Sequence, residues 1–212
     1  GGNTGDWNRE HVFPKSLAVP ALTTSTGPGT DIHNLRPSDV QWNSARGSLK
    51  FADGSGNSGT IGGNWYPGDE WKGDVARIIM YMYLRYDGDG SNVDETKCLP
   101  INVGVGSTVS NDSYMIDLFL QWNTDDPVSE VEKQRNLISE NNQGNRNPFI
   151  DNPYIATKIW GGSPAEDRWG TLGVYLYSQH NYKVFPIPSN NNQIFIESGE
   201  EMINSISLFN LV

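Results

Sequence analysis

The chain is short of cysteine, histidine and positive charge, and it has no long apolar run. Cys98 is the only cysteine in 212 residues. That excludes an intramolecular disulfide and any cysteine-based zinc site, and a packed core thiol is expected instead. No stretch approaches the roughly 18 apolar residues that a membrane helix needs, so no membrane span is expected. Fifteen Lys and Arg stand against 25 Asp and Glu, a net charge of −10. This balance argues against tight, purely electrostatic capture of a polyanion. Internal repeats are absent. The chain opens Gly1-Gly2-Asn3-Thr4-Gly5 without Met or an apolar leader; it looks trimmed, and a missing leader therefore says nothing about compartment.

What the chain does have is aromatic. Seven Trp, nine Tyr and seven Phe argue for a packed core in spite of a mean hydropathy of −0.54, and the length suits one core, or one domain with an appendage. The charge is also uneven. Between Arg9 and Lys50 five bases (Arg9, Lys15, Arg36, Arg46, Lys50) meet three acids (Glu10, Asp31, Asp39), while Val184–Val212 carries Glu197, Glu200 and Glu201 with no Lys or Arg.

Pattern predicts α+β organisation. A short strand is expected around His11–Phe13, a second at Ile32–Leu35, and a helix over Asp39–Lys50 with Ser38 or Asp39 as N-cap. The Gly, Asn and Ser content of residues 53–70 reads as a long surface loop. Val75, Ile78, Ile79, Met82 and Tyr86 keep helical spacing over residues 74–86, and Ala76, Met80, Tyr81 and Leu84 make the other side apolar too, so this helix is expected to be central. Further helices are expected over residues 113–122 and, opened by Asp126-Pro127, to about Asn142. The last has Val128, Val131, Arg135 and Ile138 as its stripe; an arginine there is either paired in the core or aimed into a cleft. Residues 184–192 read as a Pro and Asn linker, followed by strand-like residues 193–198 and 203–212.

The chemistry gathers in three strings: Asn8-Arg9-Glu10-His11-Val12-Phe13-Pro14-Lys15-Ser16, Asp31-Ile32-His33-Asn34-Leu35-Arg36-Pro37 and Trp42-Asn43-Ser44-Ala45-Arg46-Gly47. Cutting a phosphodiester needs a nucleophile, charge relief at phosphorus and help for the leaving oxygen. His11 can take a proton from water near neutral pH. Glu10 and the side-chain oxygen of Asn43 suit Mg2+, which keeps several waters and needs few protein ligands. Arg46, one turn after Asn43, can steady the phosphate. Each residue also has a bland reading: most lone histidines are structural, and an Asn at a helix is usually a cap. Asp31 and His33 read as a pair that orients its strand, Arg9 as a brace, and His180 is given no role. Asp87-Gly88-Asp89-Gly90-Ser91-Asn92 resembles a calcium loop but lacks the sixth-position Gly and the twelfth-position Glu.

Taken in order, the three strings closely resemble the bacterial extracellular or periplasmic endonuclease I family. Lys72–Arg77, Asp126-Pro127-Val128 and Gln143–Asp151 extend the likeness to about residue 155. The resemblance implies a ββα-metal (His-Me finger) core surrounded by helices, sugar-nonspecific cleavage of DNA and often also RNA to 5′-phosphate ends, and a secreted or periplasmic protein acting as a monomer. It implies His11 as general base, Glu10 and Asn43 as ligands of one Mg2+ (Mn2+ or Ca2+ substituting in binding), and an arginine at the transition state. Arg46 is the first choice for that role, with Arg36 and Arg135 as substrate-binding candidates behind it. The chain departs from some members in lacking their disulfides and in having only Lys15 where they carry a further basic residue.

The tail carries a second resemblance. Val184-Phe185-Pro186-Ile187-Pro188-Ser189 and the run ending at Val212 look like the first third of a type IX secretion sorting domain, the alternative being a closing hairpin. The domain plan is therefore a nuclease domain over residues 1–183 and a β-rich segment over 184–212. From another functional class, a non-catalytic extracellular module that binds nucleic acid or a surface is the alternative, favoured by the acidic charge.

Overall fold

The computed structural model describes residues 2–170, 182–190 and 193–198. Strand β1 (Trp7–His11) pairs antiparallel with β2 (Leu35–Asp39), with Glu10 opposite Arg36 and His11 opposite Leu35. The second strand therefore starts where the pattern expected it to end. Residues 31–34 form a turn instead, closed by the Asn34 N–H on the Asp31 carbonyl at 3.0 Å. The buried Asn34 amide then accepts from Phe13 N at 2.7 Å and donates to Phe13 O at 3.2 Å. A side chain thus replaces one rung of backbone pairing just past His11.

Helix α1 (Val40–Arg46) follows β2 without a loop. Asp39 Oδ1 accepts from Gln41 N at 2.8 Å and Trp42 N at 3.2 Å, the N-cap expected from the sequence. Gly47, at φ 51°, ends the helix four residues before the expected stop at Lys50. Within the stretch expected to be loop, β3 (Gly59–Ile61) and β4 (Asn64–Tyr66) form a hairpin. Its two turn residues, Gly62 and Gly63, both have positive φ, which a two-residue hairpin turn demands.

The core lies on α2 (Lys72–Arg85), where Ala76, Ile79, Met80 and Met82 are fully buried, as the all-round apolar pattern predicted. After α3 (Pro100–Val103) comes a hairpin of β5 (Thr108–Val109) and β6 (Asp112–Ile116), then α4 (Asp117–Asp125). The first half of the helix expected at 113–122 is strand; only its second half is helical. Trp122, Phe119 and Phe51 meet edge to face, with centroids 5.9–6.3 Å apart. Each buried ring of this kind contributes about 1.5–3 kcal/mol from burial alone.

Helix α5 (Glu130–Gln143) starts later than Asp126-Pro127 suggested, because Ser129 and Glu132 form a capping box. The expected apolar stripe is not its buried face. Val131 and Ile138 are exposed, while Glu132, Asn136 and Ser139 point inward. Glu132 accepts from Arg77 Nε at 2.6 Å and Nη2 at 2.7 Å, a bidentate pair buried against α2. Two short helices, α6 (Pro148–Asp151) and α7 (Tyr154–Trp160), complete this unit. Cys98 is buried, and burial pushes its thiol far above the usual range.

Residues 1–170 and 171–212 are two separate compact units. In the second, β7 (Tyr182–Asn190) pairs antiparallel with β8 (Gln193–Ser198). Residues 184–190, expected as linker, belong to β7. The register shifts between Phe185 and Asn190, where Pro186 and Pro188 have no N–H to give the ladder. His180 and the strand-like run 203–212 lie outside the described residues.

Candidate active site

The end of β1 and the middle of α1 share the wall of one cavity of about 460 Å³, which Glu10, His11, Asn43 and Arg46 line together with Arg9 and Lys15. Two strands and one helix therefore bring the first and third strings together. The second string runs into β2, paired with β1, and the loop ahead of it brings Gly29 to His11. His11 Nε2 lies 2.8 Å from Gly29 O. A carbonyl can only accept, so the proton of a neutral ring sits on Nε2 and Nδ1 is left free to accept one. Burial holds the His11 pKa below its ordinary 6.5, with Lys15 and Arg9 acting in the same direction and the Gly29 bond opposing. Burial thus favours the neutral ring.

Gly29 was not singled out in the sequence, and its position explains why no side chain fits there. A Cβ would stand 1.7 Å from Thr23 O, so the loop presents this carbonyl only because position 29 is glycine. A Pro-Gly-Thr string just ahead of Asp31 was the available signal. Asp31 fastens the other end of this loop. Buried at 3% exposure, it accepts from Tyr81 Oη at 2.8 Å, Tyr86 Oη at 2.6 Å and Gln143 Nε2 at 2.9 Å. His33, also buried, is bound to Asn145 O at 3.1 Å. Both act as anchors of the segment, though within a turn and not on a strand.

Glu10 is held by Arg46, whose Nη1 donates to Oε1 at 2.7 Å and to His11 O at 3.0 Å, while Nη2 donates to Val12 O at 2.8 Å. The guanidinium carbon lies 4.7 Å from the centre of the Phe51 ring. Arg46 is only 4% exposed. Burial raises the Glu10 pKa, and the Arg46 charge opposes that rise. Asn43 Nδ2 donates to Asn8 Oδ1 at 2.7 Å and Arg9 O at 3.2 Å. Its amide N–H groups are thus committed, and the oxygen is what it has to offer a cation.

Among the described residues no group of three or more His, Cys, Asp or Glu side chains could hold a metal ion together. One carboxylate and one amide oxygen fit an ion that retains most of its waters, which is Mg2+ behaviour and not zinc behaviour.

The other two arginines are engaged elsewhere. Arg36 pairs with Asp74 and lies 5.6 Å from the Trp71 ring centre. Arg135 donates to the carbonyls of Ile32 and Leu35, and burial together with the Arg36 charge pushes its pKa down to about 10. The arginine out of place on the α5 stripe is thus paired, with backbone and not with a carboxylate. The exposed cations of the cavity are Arg9 and, half-buried, Lys15.

Similarity to known proteins follows the same residues. The chain is 48% identical over 167 residues to an extracellular ribonuclease of Bacillus subtilis (strain 168), covering 76% of this chain and 56% of that protein. It is 47% identical, with the same coverage, to an extracellular ribonuclease of Bacillus amyloliquefaciens. The chain spans about half the length of the curated relatives it matches. The family model of Endonuclease I matches residues 1–154, a span that holds every residue of the cavity, and the chain belongs to the Endonuclease I family.

Proposed function

We propose that this chain carries the catalytic unit of a secreted, metal-dependent endonuclease that hydrolyses phosphodiester bonds of DNA and RNA with little sequence preference, as a monomer, leaving 5′-phosphate ends. The observation that carries it is the His11 ring held by Gly29 O at 2.8 Å in the cavity that Glu10 and Asn43 line. Location outside the cell follows from the names of the two relatives, both extracellular ribonucleases. The type IX-like tail over 184–212 is proposed as the export signal that goes with it.

His11 Nδ1 takes the proton of the attacking water while Nε2–H stays on Gly29 O, so the ring neither turns nor changes tautomer at the wrong nitrogen. Glu10 and Asn43 would hold Mg2+, which supplies charge relief at phosphorus and on the departing 3′ oxygen. Arg46 positions Glu10: its bonds to Oε1 and to the His11 carbonyl lock the ligand and the base to one helix. With Arg46 engaged in this way, Arg9 and Lys15 are the cations free to meet the phosphate.

Supercoiled plasmid and single-stranded RNA, each incubated with the chain in Mg2+ and in EDTA, test this reading. Nicking and RNA cleavage in Mg2+, absent in EDTA and in His11→Ala, are expected. Cleavage that survives His11→Ala would remove the mechanism. A wild type that binds Mn2+ calorimetrically but cuts neither substrate would remove the activity.

A further inference from the structure

A second cavity, of about 510 Å³, lies against the first and shares Glu10, Asn43 and Arg46 with it as a common wall. Its character is different. Four of the seven tryptophans in the chain (Trp7, Trp42, Trp65 and Trp71) line it. Three of them keep much of their surface in solvent, with Trp7 at 66%, Trp42 at 51% and Trp71 at 40% exposure. Trp65 is buried and meets Trp42 edge to face at 5.7 Å, so the Trp42 ring is braced from one side. Trp71 is braced likewise by Arg36. Val12, Val75 and Ile78 form the apolar floor.

Large exposed apolar rings are costly to leave in water, and a cluster of them marks a binding site. Here the occupant is set by what the adjoining cavity handles. We propose that this tryptophan-walled groove is a subsite for unpaired nucleobases flanking the phosphate that is cut, so that single-stranded or locally melted nucleic acid is the preferred substrate class. A base can lay its face on an indole only after leaving the duplex stack. Charge points the same way. A chain of net charge −10 has little counterion release to draw on, and stacking holds a polyanion without it. The inference rests on the nuclease reading above and specifies its substrate.

The test compares single-stranded DNA and RNA of one sequence, roughly 12 nucleotides long, with their duplexes, in saturating Mg2+. The proteins are wild type, Trp42→Ala, Trp71→Ala and Trp42→Phe. Each alanine variant is expected to raise the single-strand KM about tenfold, with kcat little changed and duplex cleavage unaffected; Trp42→Phe retains most of the single-strand affinity. Equal effects on single strand and duplex, or none on either, overturn the proposal. Separate DNA and RNA arms show whether the groove tells the two sugars apart. A second measurement avoids reliance on the variants: single-stranded oligonucleotide should quench wild-type tryptophan fluorescence in EDTA, and no quenching also overturns it. Quenching without any cleavage sinks the nuclease reading and leaves the groove standing; cleavage without quenching or a tryptophan effect does the reverse.

Discussion

The two cavities that meet at Glu10, Asn43 and Arg46 are similar in size and differ in the character of the rest of their lining. One is lined by His11, Arg9 and Lys15 and suits charge and proton transfer; the other is walled by tryptophan and has no histidine. On the reading proposed above, the difference teaches how an acidic protein can handle a polyanion: a few cations sit where the phosphate reacts, and holding is left to surfaces that need no charge. Arg46 belongs to both sides, since its guanidinium anchors Glu10 and lies over Phe51, which lines the aromatic groove.

The largest separation of the two sides is expected from His11→Ala. Loss of the base should lower kcat about 10²–10⁴-fold while single-strand quenching of tryptophan fluorescence stays at the wild-type level. A matching loss of quenching would show that the cavities do not divide the work. Arg46→Ala strikes the common wall. It leaves the half-buried Glu10 carboxylate and the carbonyls of His11 and Val12 without their donor, at a cost of about 3–5 kcal/mol. Urea denaturation at pH 7 should show the loss, and Mn2+ calorimetry should show weaker binding. A variant as stable as wild type with unchanged Mn2+ affinity contradicts the positioning role.

Gly29→Ala perturbs the catalytic side alone. The new methyl group must displace Thr23 O, 1.7 Å away, costing about 1–3 kcal/mol. We expect a lower kcat at unchanged single-strand KM, because residue 29 does not line the aromatic groove; a KM that rises with it would join the two cavities. The smallest effect is on pH and stability. Burial lowers the His33 pKa from 6.5, with the Asn145 carbonyl and the Asp31 charge opposing. Above pH 6.5 the ring is neutral folded or unfolded and contributes no slope. Below it the unfolded chain binds a proton that the folded chain refuses, so stability falls as pH falls toward the folded pKa, by at most about 1.4 kcal/mol per pH unit. Urea midpoints at pH 7.5, 6.5 and 5.5 should decline less steeply in His33→Gln; parallel declines would locate the titration elsewhere.

The contrast between α2 and α5 shows how much of the fold was legible. The all-round apolar pattern of α2 identified a buried helix, because water excludes such a surface whatever its partner is. On α5 the same periodicity argument chose the wrong face. Glu132 and Asn136 are buried because Arg77, Asn147 and Asp151 are there to meet them, and partners 11 to 55 residues away in sequence cannot be seen in one heptad. Element ends slipped for a related reason. β2 begins at Leu35 because Asn34 bonds Phe13, and β6 ends where α4 begins because a neighbouring hairpin strand pairs with it. In the site, Glu10, His11 and Asn43 were readable as residue types suited to a cation and a proton, and the structure lines one cavity with all three. Gly29 and Asn8 were not, since one acts through a carbonyl and the other through an amide that any Asn can supply.

By itself, then, the sequence determined the chemical inventory: which side chains could bind a cation or take a proton, that no disulfide would help, and that one helix would sit in the core. Those follow from composition and local spacing, which act on a chain before it folds. Tertiary structure decided which nitrogen of a neutral His11 ring is left free to accept a proton, that Arg46 grips Glu10, and that four scattered tryptophans wall one groove beside the first cavity. Each of these depends on atoms brought together from distant parts of the chain, and hydrogen bonds and stacking at 3–6 Å have no counterpart in spacing along a sequence.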